Sequence, residues 1–253
     1  MPLQTQPRKL VFSRKGFDSG SGGAPSPIVD GRPISLPIPA SGWPSETTYR
    51  ALGLTRYVDA AVRNPEKRDL FCHHDPYFEG GRVAFGQESA AQGHLTNQQI
   101  ACGDVFLFFG LFSGDGHKPH HRIFGFMQIE EILRPGTDET PGWLTKHPLF
   151  LLKSANGVNP WKPNNTVYVG CGGMAQKALP NLRLTAPDSD SVSLWSVPEW
   201  LCQGNLSYHA NAHRWLQPGR LRTVGRGQEF VSNIENNCAA QTWLTERICE
   251  IES

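Results

Sequence analysis

Ser13, Arg14, Lys15 and Asp18 bring a hydroxyl, two cations and a carboxylate together within six positions. They follow directly on Lys9-Leu10-Val11-Phe12, a short apolar run that reads as a first strand. A turn of this composition, continued by the small residues Ser19 to Gly23, can present backbone N–H groups and paired cations to an anion. Arg14 and Lys15 are therefore the expected phosphate ligands. Ser13 stands beside them, and Asp18 serves as a general base or as the group that orients Arg14. The glycines fit neither G-x-x-x-x-G-K-[ST] nor a helix-opening G-x-G-x-x-G, because Pro25 and Pro27 follow at once. A solvated turn in which Asp18 pairs with a neighbouring cation is the plainer alternative.

Histidines form the second group. In His73-His74-Asp75 a carboxylate follows paired imidazoles, and Asp75 is the second candidate for proton transfer. His94 stands where polar sequence meets apolar core and, with His209, is expected to line the same pocket. His117, His120 and His121, and the i, i+4 pair His209 and His213, can each offer two imidazoles to one metal if the backbone allows it. Exposed loop histidines explain the same spacing, so the metal and any other cofactor stay unassigned.

Trp161-Lys162, Tyr208-His209 and Arg214-Trp215 set an aromatic face beside a cation or an imidazole. A base can stack on such a face while Lys162 or Arg214 holds its phosphate. Core indoles beneath snorkelling cations are the alternative. No G-x-S-x-G occurs, and Cys72 beside His73 is the one suggestive context for a thiol nucleophile.

These groups need elements to hold them. Asp104 to Gly110 is a continuous apolar run, expected to be a strand buried on both faces. Its expected partner is Arg122 to Ile129, across a polar, histidine-rich loop at 113–121. Thr166 to Gly170 and Gln228 to Ser232 read as further strands, and the proline-punctuated stretch from Pro25 to Pro44 as an extended edge segment. Helices are expected at Thr55 to Arg63, capped by Thr55 and ended by Asn64-Pro65, and at Ser89 to Gln99. A third, at Ala239 to Ile251, turns Trp243, Leu244, Ile248 and Ile251 inward.

The 253 residues, with 20 Pro and 26 Gly, argue against an all-helical chain and suit one domain spanning 1–253. The expected class is α+β: a central mixed or antiparallel sheet that could curl towards a small barrel, short flanking helices and long Pro/Gly-rich loops. A net charge of +1 lacks the field of a protein that grips duplex DNA by its phosphates, so any nucleic-acid partner must be held in a local pocket. The six cysteines show no zinc-finger spacing and read as reduced thiols. With no long apolar stretch for a leader or a membrane span, the expected setting is cytoplasmic, without a membrane partner.

Several segments, in order along the chain, resemble the third type of nucleotide-modification-associated domain. They include Val11 to Asp18, Gly23 to Ile28, Ser35 to Pro39, His73 to Pro76, Phe85 to Gln87, Ala90 to Leu95 and Gly103 to Gly110. Ile123 to Gly125, Leu206 to His209, Arg214-Trp215 and Arg226 to Val231 continue the series. The resemblance implies a bacterial or phage setting concerned with modified nucleic-acid bases, and it adds Gln92 to the expected substrate contacts. Where the family pattern carries a second acid after the His-x-Asp-Pro element, this chain has Tyr77, leaving Asp75 to act alone. The leading expectation is a protein that binds a nucleotide or base and transforms it as a transferase or hydrolase. The alternatives are a non-catalytic module that recognises a modified base, and a metal-dependent hydrolase or lyase built on the histidines.

Overall fold

The computed structural model describes residues 3–62, 70–152, 161–217, 219–225 and 229–253. β1 (Lys9–Arg14) sends Leu10 and Phe12 to one side of a sheet and Val11 to the other. β6 (Val105–Gly114) likewise divides Val105, Leu107 and Phe109 from Phe106 and Phe108. Successive strand side chains point to opposite faces, so a strand covered on both faces must be apolar throughout, as the 105–110 run is. Each fully buried Phe contributes roughly 1.5–3 kcal/mol relative to exposure.

β1 lies parallel to β6 and antiparallel to β12 (Glu229–Asn233). Beyond β6 come β7 (His117–Leu133), β8 (Thr166–Met174), β5 (Arg82–Gln87) and β4 (Tyr77–Glu79), each antiparallel to the one before. β2 (Ser26–Val29) pairs with the far end of β6 and forms a small hairpin with β3 (Arg32–Pro33). A second sheet orders β10 (Trp215–Gln217), β11 (Arg220–Arg222) and β9 (Leu194–Ser196). This is the expected mixed α+β architecture. Its main sheet stays open, because β12 and β4 end the strand order without pairing among the described residues, so no small barrel forms.

α3 (Cys238–Glu252) closes one face, where Leu244, Ile248 and Ile251 join Phe12, Phe109 and Phe230. Asn237 starts it by accepting the Ala240 N–H at 3.0 Å. α2 (Ser89–Asn97) covers the other face through Leu95, beside Phe85 and Phe106. α1 (Thr55–Val62) packs Val58 into a smaller cluster with Phe17, Tyr49 and Cys72. None of the described helices is long and apolar enough to cross a membrane.

The structure overturns the expected 113–121 loop. β6 and β7 turn at Asp115-Gly116, both at positive φ (49° and 78°), which is the backbone a two-residue hairpin turn requires. The strands therefore run on through the histidines, and His120 and His121 are buried strand residues instead of exposed loop ones. His213 sits in a single 3-10 turn, Ala212–Arg214, and shares no helix with His209. The expected end of the first helix at Arg63 to Pro65, and Arg226 to Gln228 of the C-terminal segment, lie outside the described residues.

Candidate functional site

A cavity of about 460 Å³ lies where the end of β1, the turn after it, residues 73–75 and the start of α2 converge. Arg14, Lys15 and Asp18 line it from the turn, and His73 and Asp75 from the acid–imidazole segment. Glu88 to Ala91 add the first turn of α2. Its size falls in the range of small-molecule sites, and its lining mixes charged and polar groups with the apolar faces of Ile38, Trp43, Phe85 and Leu149.

The cation turn is tied down from below by Glu229, a carboxylate buried inside β12. One Glu229 oxygen accepts from Lys15 Nζ at 2.9 Å, Gln87 Nε2 at 2.9 Å and Ser13 Oγ at 3.3 Å. Lys15 Nζ also lies 4.3 Å from the centre of the Phe85 ring. Ser13 is wholly buried and works as a strut for Glu229, while Arg14 donates to the Gly225 carbonyl at 3.1 Å. Asp18 holds its own turn: one carboxylate oxygen accepts the N–H groups of Gly20 at 2.8 Å and Ser21 at 2.7 Å.

Asp75 is clasped. Both its oxygens accept from the Gly86 N–H at 3.1 Å. His73 Nε2 stands 3.7 Å from one oxygen and His147 Nε2 3.6 Å from the other. Burial by itself would raise this carboxyl, but the imidazoles of His147 and His73 outweigh it and hold Asp75 well below the usual carboxylate range. Asp75 is thus a permanent anion that orients imidazoles. His147 accepts the Leu149 N–H on Nδ1, so its own proton sits on Nε2, facing Asp75. His73 Nδ1 is buried and has no hydrogen-bond partner among the described residues.

At the third wall Ser89 takes a positive φ of 56°, a costly conformation for a residue with a Cβ. Asn164 pins it on both sides, accepting its N–H at 3.1 Å and donating to its carbonyl at 2.7 Å. Lys162 donates to Ser89 Oγ at 2.7 Å and to Glu88 at 2.6 Å. Lys162 accordingly braces the rim from outside the lining.

The remaining expected contacts lie elsewhere. His209 is fully buried; its Nδ1 donates to the Ser207 carbonyl and its Nε2 accepts the Val224 N–H, so both ring nitrogens are used and burial lowers its pKa. Trp215 donates to the His209 carbonyl, and Arg214 to the Arg222 and Thr223 carbonyls. Gln92 pairs with the Tyr168 hydroxyl inside the core. Trp161 donates to the Leu149 carbonyl. His94 bonds Ser207 and lies tilted against the exposed Tyr208 ring, 4.3 Å between centres, again outside the cavity. Cys72 is buried behind His73, and burial pushes its thiol up to about 12, which removes it as a nucleophile near neutrality. Among the described residues no three His, Cys, Asp or Glu side chains are grouped to hold a metal ion.

Glu229, His147 and Gly86 do much of the positioning and were not singled out from the sequence. A glutamate within the strand-like Glu229-Phe230-Val231 was the available signal, since a carboxylate inside a buried strand demands a partner. Searches of curated proteins and of solved structures return no significant match. A family model does match, over residues 9–233, and the segments that line the cavity fall within it. The chain belongs to the nucleotide modification associated domain 3 family.

Proposed function

We propose that the chain binds a nucleotide, free or as a flipped-out unit of a nucleic acid, in the cavity between the cationic turn, Asp75 and α2. One observation carries this: Arg14, the His73–Asp75 pair and the first turn of α2 converge on a single cavity of nucleotide size. The phosphate fits between the Arg14 guanidinium and the Ala90 and Ala91 N–H groups in the first turn of α2, where the helix end favours an anion. Lys15 adds little free charge, because Glu229 already neutralises it. The base or sugar is then held against Trp43, Leu149 and the His73 ring.

If the bound nucleotide is transformed, His73 is the proton-handling group. With its Nε2–H towards Asp75, Nδ1 carries the lone pair a general base needs; that atom is buried, so the ring must turn to present it to the ligand, and the ionised Asp75 stabilises the imidazolium that forms. Asp18 keeps one oxygen outside the contacts that hold the turn and is the second candidate. The alternative, a module that holds a modified base unchanged, is favoured by how many polar groups already have internal partners.

Isothermal titration of the full chain with a panel of ribo- and deoxyribonucleoside monophosphates tests the binding claim. The parent should bind at least one of them, and Arg14→Ala should weaken that by about 10- to 100-fold, the worth of a charge-assisted contact, at unchanged melting temperature. No binding at millimolar ligand, or an Arg14→Ala variant that binds as the parent does, refutes it. Chromatography of the ligand after incubation separates turnover from storage: His73→Ala should abolish conversion if the chain is an enzyme, whereas a module returns the ligand intact.

A further inference from the structure

A second cavity, of about 380 Å³, lies beyond the wall formed by Lys15, Gly16 and Asp75, the three residues it shares with the first. The wall is held by backbone bonds from Lys15 N–H to the Phe109 carbonyl at 2.8 Å and from Phe17 N–H to the Leu36 carbonyl at 2.9 Å. His73 and His74 diverge across it: His73 lines the first cavity, His74 the second, and Asp75 stands in both walls. The paired imidazoles thus serve two chambers about one carboxylate.

The linings differ in chemistry. The second chamber is bounded by the Tyr57, Phe78 and Phe124 rings, by proline faces and by Met174, which is 41% exposed. Burial keeps His74 neutral near pH 7, its pKa lowered to about 4, so it can both donate and accept. Arg32 lies on the same lining and is exposed. Flat rings favour such walls, through offset aromatic contacts and the soft thioether, while Ser35, His74 and Arg32 supply polar groups that can set their orientation.

We propose that this chamber is a second small-molecule site, taking a flat, uncharged heteroaromatic ring such as the ring portion of a co-substrate, next to the polar cavity and separate from it. The site stands independently of the nucleotide reading of the first cavity.

Methionine-methyl carbon-13 spectra of the full chain test it, with adenosine and cytidine as phosphate-free probes. Both nucleosides should move the Met174 signal saturably, and the shift should persist in Arg14→Ala and with excess inorganic phosphate. Leu52→Trp, which narrows the chamber from a half-buried position, should weaken the response by about tenfold or more. Should that variant melt early, Tyr57→Ala at parental melting temperature should weaken it in the same direction. No Met174 shift at millimolar nucleoside overturns the proposal. So does a shift lost equally in Arg14→Ala, which would put the ring in the first cavity. A Met174 response without nucleotide binding elsewhere would sink only the reading of the polar cavity.

Discussion

The Lys15 ammonium lies 2.9 Å from the Glu229 carboxylate across 214 positions of sequence, with only 11% and 2% of the two side chains exposed. Removing one partner strands the other charge in a dry place, whereas removing both does not. Glu229→Ala should cost about 3–5 kcal/mol in urea unfolding, and the double variant Lys15→Met/Glu229→Leu clearly less than the sum of its single changes. A strictly additive double-mutant cycle would show that the pair does not couple.

Gly86 lies against the clasp around Asp75. A Cβ there would come within 2.8 Å of both His147 Cε1 and Leu149 Cδ1 and 3.2 Å of an Asp75 oxygen. Gly86→Ala should therefore cost roughly 1–3 kcal/mol of stability through overpacking. It should also lower nucleotide affinity, because Asp75 and His73 must shift. Calorimetric melting and titration on one preparation measure both; parental values in each would mean that the clasp yields without consequence.

Stability should fall on the acid side well before the carboxylates titrate. Burial lowers His120 to about 4 and His121 to about 3, and His121 Nδ1 accepts from Trp195 Nε1 at 3.0 Å, which a second ring proton would prevent. These folded-state values lie below the ordinary 6.5, so at lower pH the unfolded chain binds the extra protons. The contribution is complete above about pH 6.5 and is lost as pH drops from there towards about 4. Urea midpoints from pH 8 to pH 4 should decline from about 6.5, and His121→Phe should flatten the slope; a flat parental profile would contradict the buried neutral state.

Aromatic substitutions should separate structure from binding. The Trp215 indole donates to the His209 carbonyl at 2.8 Å, away from the cavity. Trp215→Ala should lower the melting temperature while leaving the nucleotide affinity of the folded fraction within about twofold. A selective loss of affinity would return the C-terminal aromatics to the binding site.

The cation turn was legible because charge, hydroxyl and flexible residues follow directly on a strand, and Asp75 because an acid after paired imidazoles is a chemical motif in its own right. Both reach the cavity. What could not be read was register: Ser13 faces Glu229 only because β12 pairs with β1, and no local pattern announces a pairing over that distance. The same blindness sent His209 and Trp215 to the site on residue type alone, when their polar atoms serve backbone groups. The histidine-rich hairpin was misread because polarity was taken for a loop, although Asp115-Gly116 limits the turn to two residues.

The strand order has a consequence for synthesis. β1 sits between β6 and β12, so its outer edge stays unpaired until residues 229–233 have left the ribosome. A nascent chain that has emerged only as far as β8 can form the hairpins but holds Lys15 without its counter-ion. If the cavity binds as proposed, competence to bind arises only after translation of β12, and ribosome-stalled intermediates should be targets for chaperones and proteases.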